Sequence, residues 1–146
     1  VSEHRLSFNN QDELSDLITQ NADITIYAIS AARFNVIKAT EILKQNGIKC
    51  NIVHIMWLKP FIVTDRLLEP LKQSKAGIVV DSGFEIGGAS QSIAYELMFA
   101  SGVKVKALGL YDKSVGVTAE TENSTPGANR IAEIVRELYK ENLRLR

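Results

Sequence analysis

DITIYAISAARFNVIKATEILKQNGIKCNIVHIMWLKP, running from Asp23 to Pro60, carries the pattern that decides the fold. An apolar run of strand length, Ile24 to Ser30, is followed by AARFNVIKATEILKQNG, in which Val36, Ala39, Thr40 and Leu43 recur at helical spacing. Gly47 stands where a left-handed residue closes a helix, and a second apolar run, Cys50 to Met56, begins just beyond it. Strand, helix and strand in this order form the parallel crossover unit of α/β proteins.

The same alternation continues downstream. AGIVVDS (Ala76 to Ser82) and VKVKALGL (Val103 to Leu110) read as two further strands. The first of them is apolar at Ile78, Val79 and Val80 in succession, as a central strand covered on both faces requires. A helix is expected after Thr64, an N-cap type, with Leu67, Leu68 and Leu71 facing inward; Pro70 removes a donor and should kink or shorten it. Another follows Gly87 and Gly88, with Ile93, Ala94, Leu97 and Met98 on one face and Gly102 at its end. The last opens on Thr125 as N-cap and Pro126 at the first helical position, carries Ile131, Ile134, Val135 and Leu138, and is expected to run to about Tyr139. At the front, His4 to Phe8 suits a short edge strand, and the stretch from Asp12 to Asn21 has helical spacing at Leu14, Leu17 and Ile18. Tyr111 to Ser124 shows no period and predicts a long loop, a kind more often functional or interfacial than idle.

Composition limits what such a domain does. The 146 residues fit one domain, 1–146, and 45% hydrophobic content fills a core without suggesting a membrane protein. Seventeen basic and seventeen acidic residues cancel, so no basic footprint argues for nucleic acid. No apolar run approaches the ~20 residues that span a bilayer, and VSEHRLSFNN is unlike a signal peptide. With Cys50 as the sole cysteine, no intrachain disulfide forms and a cytoplasmic location is expected. The chain opens on Val1 rather than methionine, which suggests a fragment of a longer enzyme.

Residues that could carry chemistry are few. His4 and His54 are the only histidines and lack metal-ligand spacing. His54 closes an apolar strand, where a locally hydrogen-bonded imidazole suffices. Cys50 reads as a small buried hydrophobe, because a reactive thiolate needs exposure and a positive neighbourhood. The turn DSGFEIGGAS (Asp81 to Ser90) joins strand to helix and could aim amides at an anion, but Asp81 and Glu85 oppose a phosphate; a tight turn that seats the helix is the favoured reading. No catalytic, cofactor-binding or metal-binding residue is assigned. Aromatic residues offer more. Trp57, Phe84 and Tyr111 each follow a strand's carboxyl end and Phe61 lies four residues beyond Trp57, so these four, with the loop from Tyr111 to Ser124, form the candidate contact surface. For Phe61 and Phe84 the competing reading is that they tuck under the loop as core.

The order of these motifs resembles the C-terminal domain of transketolases, 1-deoxyxylulose-5-phosphate synthases and 2-oxoacid-dehydrogenase E1 β subunits. The strand DITI, the helix ending in Gly47-Ile48, the turn Leu58-Lys59-Pro60, the segment AGIVVDSGFEIGGASQSIAYEL and the closing STPGANRIAEIV carry the likeness over about Asp23 to Tyr139. The resemblance implies a three-layer α/β/α domain whose five-stranded, mixed but mostly parallel sheet has an antiparallel first strand, here His4 to Phe8. It implies thiamine diphosphate and magnesium in the parent enzyme, between two preceding domains; this chain has no Gly-Asp-Gly, so neither is expected in it. The implied role is packing against the parent enzyme's remaining domains or subunits, with a homo-oligomer expected. Two positions depart from members that bind phosphorylated substrates: Met56 replaces an arginine and Ile62 an aspartate around the Lys59-Pro60 turn. The segment from Asn9 to Asn21 is also longer than the usual link. A free-standing regulatory or small-ligand-binding α/β module is the alternative, and the equivalent domain of a 2-oxoacid:ferredoxin oxidoreductase is a third reading.

Overall fold

A computed structural model describes residues 15–114, 118 and 122–144. Eight elements follow in chain order: β1 (Ile24–Ile29), α1 (Ala32–Gln45), β2 (Cys50–Ile55), α2 (Asp65–Ser74), β3 (Gly77–Phe84), α3 (Ala89–Ser101), β4 (Val105–Leu110) and α4 (Ala128–Arg144). The four strands form one parallel sheet in the order β2-β1-β3-β4. Because β1 to β2 and β2 to β3 progress in opposite directions, crossovers of one hand must pass on opposite faces. The packing obeys this. Ala32, Val36, Ala39 and Leu43 of α1 join Ile131, Val135 and Leu138 of α4 over the face made by Ile24, Ile26, Ile78 and Val80. Leu67 and Leu71 of α2 join Ile93 and Leu97 of α3 over Tyr27, Val53 and Val79 on the other.

All four central strands and all three crossovers lie where the periodicity puts them. β1 and β3, both mid-sheet, are buried on both faces, hence their unbroken apolar runs. Thr25 is a polar exception inside β1. Its hydroxyl bonds the Pro70 carbonyl and the Ser74 hydroxyl and accepts from Asn51, a buried network joining β1, β2 and α2. Pro70 stays inside α2, which ends after ten residues with Lys75 in the left-handed conformation.

Four expectations change. The expected antiparallel strand His4 to Phe8 lies outside the described residues, and the sheet within them has four strands, all parallel. Residues 15–19, expected to be helical, are extended: Leu17 and Ile52 exchange backbone hydrogen bonds of 2.8 Å in an antiparallel bridge, so this segment covers the open edge of β2. Satisfying an edge strand's donors outweighs weak helical spacing here. Met98 is not part of the buried stripe but is 37% exposed beside Tyr95 and Phe99. Finally, α4 begins beyond Gly127, whose carbonyl accepts the first helical bond from Ile131, and extends to Arg144; the Pro126 carbonyl is turned instead toward Asn35 of α1.

Candidate functional site

Every strand ends at the same rim of the sheet, and Met56, Trp57, Leu58, Ile62, Phe84, Ile86 and Tyr111 are exposed there. At the end of β2, Ile55, Met56, Trp57, Pro60, Phe61, Ile62 and Leu67 line an open cavity of about 310 Å³, with Thr64 and Arg66 as its polar members. The Lys59-Pro60 peptide within this turn is cis. Trp57 is 76% exposed, whereas Phe61 is partly buried and packs against the α2 and α3 side of the core. Met56 and Ile62 both contribute apolar wall, so this turn offers a largely greasy surface.

Asp16 and Arg66 hold that turn in place. Arg66 donates from Nε and Nη2 to the two Asp16 oxygens at 2.7 and 2.8 Å and from Nη2 to the His54 carbonyl at 2.7 Å. Asp16 also accepts the His54 backbone N–H at 2.9 Å. Nothing in the sequence pairs two residues fifty positions apart, so neither was identifiable beforehand.

A second cluster forms where β3 and β4 end. Phe84 is in register with Leu110, and Tyr111 follows directly. The Arg130 guanidinium lies 3.7 Å from the centre of the Tyr111 ring, donates to the Gly109 carbonyl at 3.0 Å and comes within 3.9 Å of Glu85. Asn123 brackets Tyr111 from the other side, accepting its N–H at 3.1 Å and donating to its carbonyl at 2.8 Å. Tyr111 and Phe84 nonetheless remain 55% and 44% exposed. The four candidate aromatics therefore share one rim but fall in two pairs, Trp57 with Phe61 and Phe84 with Tyr111. Strand β1 separates the pairs, a gap of about two strand spacings, or ~10 Å. The loop from Tyr111 to Ser124 is described only at 111–114, 118 and 122–124.

One exposed apolar surface was missed. Tyr95 and Phe99, at i and i+4 on the outer face of α3, stack with ring centres 6.1 Å apart, and Phe99 is 80% exposed. Their spacing was the available signal.

The glycine turn before α3 has the form of a tight structural turn. A Cβ on Gly88 would lie 1.8 Å from the Phe84 carbonyl oxygen, and the Gly87 N–H is already bonded to Gln91 Oε1. Among the described residues no group of three or more His, Cys, Asp or Glu side chains could hold a metal ion, and no helix is long and apolar enough to cross a membrane. His54 is buried, with its backbone engaged by Asp16 and Arg66 as above. Burial, with Asp23 adding to it, pushes the Cys50 thiol up to about 12. Iodoacetamide at pH 8 should accordingly alkylate Cys50 in the folded chain at least about a hundredfold more slowly than in urea. Equal rates would show that the thiol is open and ionisable.

Comparison with known proteins gives a consistent outcome. A family model described as "Transketolase, C-terminal domain" matches residues 15–131. The pyruvate dehydrogenase E1 component subunit beta of Mesostigma viride is 30% identical over 90 residues, covering 60% of this chain and 27% of that protein. The 1-deoxy-D-xylulose-5-phosphate synthase of Synechococcus sp. (strain JA-2-3B'a(2-13)) is 28% identical over 130 residues, 86% of this chain and 20% of that protein. This chain thus spans about a quarter or less of these relatives. Among solved structures, a split-gene transketolase described as an inactive beta4 tetramer superposes with a TM-score of 0.70 at 22% identity, covering 86% of this chain and 41% of that one. With a family model that matches residues 15–131, well over half of the chain, the chain belongs to the transketolase C-terminal domain family.

Proposed function

We propose that this chain works as the C-terminal, non-catalytic assembly domain of a thiamine-diphosphate-dependent enzyme of the transketolase or 2-oxoacid-dehydrogenase E1 β type. Thiamine diphosphate and magnesium belong to the other domains or subunits of that enzyme, and this chain alone is inactive. The observation that carries the reading is the apolar rim at the strand carboxyl ends. Met56, Trp57, Leu58, Ile62, Phe84, Ile86 and Tyr111 are all more than 40% exposed on it. A concentration of large apolar side chains on one edge costs solvation that a partner surface recovers, and aromatic residues dominate the centres of protein interfaces.

Sedimentation tests this with the wild type, Trp57→Ala and Phe84→Ala, each alone and mixed with the remaining domains of the parent enzyme. Losing an aromatic anchor should weaken association by about 2 kcal/mol, roughly thirtyfold. If both variants stay folded and assemble like the wild type, the rim is not the contact surface.

A further inference from the structure

We propose that Arg33 and the amino end of α1 form a binding site for a small oxyanion, a carboxylate or phosphate group carried by a small molecule. Arg33 lies in the first turn of α1, directly beyond the carboxyl end of β1. The residue is only 5% exposed. Nη2 donates to the Ser15 carbonyl at 2.8 Å, but Nε and Nη1 have no hydrogen-bond partner. Those two nitrogens carry three of the five guanidinium donors, and a buried guanidinium stays charged, so an acceptor is missing. Burial works against the Arg33 charge and lowers its pKa, with Asp16 opposing the shift, yet the Asp16 oxygens are committed to Arg66 and the His54 N–H.

The helix end beside it has no capping side chain, although the Arg33 and Phe34 N–H groups already reach the Ser30 and Ala31 carbonyls at 3.2 and 3.3 Å. Ala31 occupies the N-cap with no side-chain hydrogen bond, and the first turn contains no acidic residue. Side chains of a helix's first turn lean back toward its amino end, which brings the guanidinium and the positive end of the helix dipole to one place. That place is also where the topology favours a ligand. The crossover from β1 leaves on one face and that from β3 on the other, and open α/β sheets bind ligands outside the carboxyl ends of strands at such a switch. An oxyanion answers the guanidinium's deficit: it accepts from the unpaired nitrogens and lies beside a helix end that has no carboxylate of its own. This site lies at the β1 end of the same rim, between the two aromatic pairs, and does not depend on those aromatics binding a partner.

Thermal unfolding of the full chain tests the site. Inorganic phosphate and acetate are titrated separately at constant ionic strength, with sodium chloride as the balancing salt, for wild type and Arg33→Met. Wild-type Tm should rise saturably with one or both anions, by on the order of 5–10 °C at about a hundred times the dissociation constant. Acetate reports a carboxylate ligand, phosphate a phosphorylated one. Arg33→Met should lose the response while unfolding, without anion, at or above the wild-type temperature, because three unpaired donors leave with the side chain. No rise in wild type beyond that in chloride, or an equal rise in Arg33→Met, overturns the proposal. Should Arg33→Met fail to fold, the arginine Nε–H resonance that is absent from Arg33→Lys is followed in wild type as phosphate or acetate is added. A saturable shift supports the site, and an unmoved resonance refutes it.

Discussion

Alanine at Gly88 is expected to destabilise the fold by about 3 kcal/mol or more, and to do so through backbone contact alone. Gly88 has φ −90° and ψ 177°, a conformation any residue adopts, so conformational strain is not the cause. The cause is the Phe84 carbonyl oxygen, which lies 1.8 Å from where a Cβ would be. A carbonyl in a strand end cannot swing aside as a side chain can. The turn from Phe84 to Gly88 must therefore open, and it carries Glu85, whose N–H bonds the Leu110 carbonyl and whose carboxylate accepts the Gly109 N–H at 3.2 Å. Neighbouring Gly87 gives the control. It has φ +72° with nothing within 4 Å of a Cβ, so alanine there meets only the left-handed penalty of about 1–2 kcal/mol. Urea unfolding should rank the midpoints wild type, Gly87→Ala, Gly88→Ala in descending order. If Gly87→Ala proves the worse, the turn relaxes more readily than its geometry indicates. Because Phe84 moves with the turn, Gly88→Ala should also weaken any assembly made through the rim, even where the fold survives.

That turn illustrates what the sequence discloses and what it withholds. The parallel strands and the helices between them follow from local periods, because each buries a stripe or a face that its own residues define. Val36, Ala39 and Leu43 are fully buried, as their spacing requires. The shared rim was legible as well, since parallel strands must end on one edge. The division of its aromatics into two pairs was not, because it depends on β1 lying between β2 and β3, and strand order leaves no local trace. Residues 15–19 are the clearest failure. Leu14, Leu17 and Ile18 recur at a spacing that suits a helix, but the backbone at Leu17 is claimed by the edge of β2, and Thr19 adds bonds to Asn51 and the Cys50 carbonyl. Arg33 went unnoticed for a related reason. An arginine in the first turn of a helix looks solvated in sequence, and only the passage of Ser15 over it reveals a buried guanidinium with donors to spare.

The second large effect is expected in the core, between α2 and the start of β3. Leu71 is fully buried, and its Cδ1 lies 2.7 Å from where a Cβ on Gly77 would be. Leu71→Ala should cost about 2–5 kcal/mol, the sum of lost apolar transfer and an incompletely collapsed cavity. Gly77→Ala alone should cost about 1 kcal/mol, because its methyl presses on a side-chain end that can yield slightly. Each defect is the complement of the other: the first vacates the space that the second requires. Gly77 is not in a left-handed conformation, and its remaining neighbours, the Thr25 carbonyl and Val105 Cγ2, stand at 3.4 Å, so alanine fits once Leu71 is shortened. A double-mutant cycle by urea denaturation should therefore give a coupling of about 1–2 kcal/mol, with the double variant more stable than the two single losses added together. Additivity within about 0.5 kcal/mol would mean that α2 shifts to fill the Leu71 cavity by itself, and that the close approach of this helix to β3 is adjustable rather than fixed by Gly77.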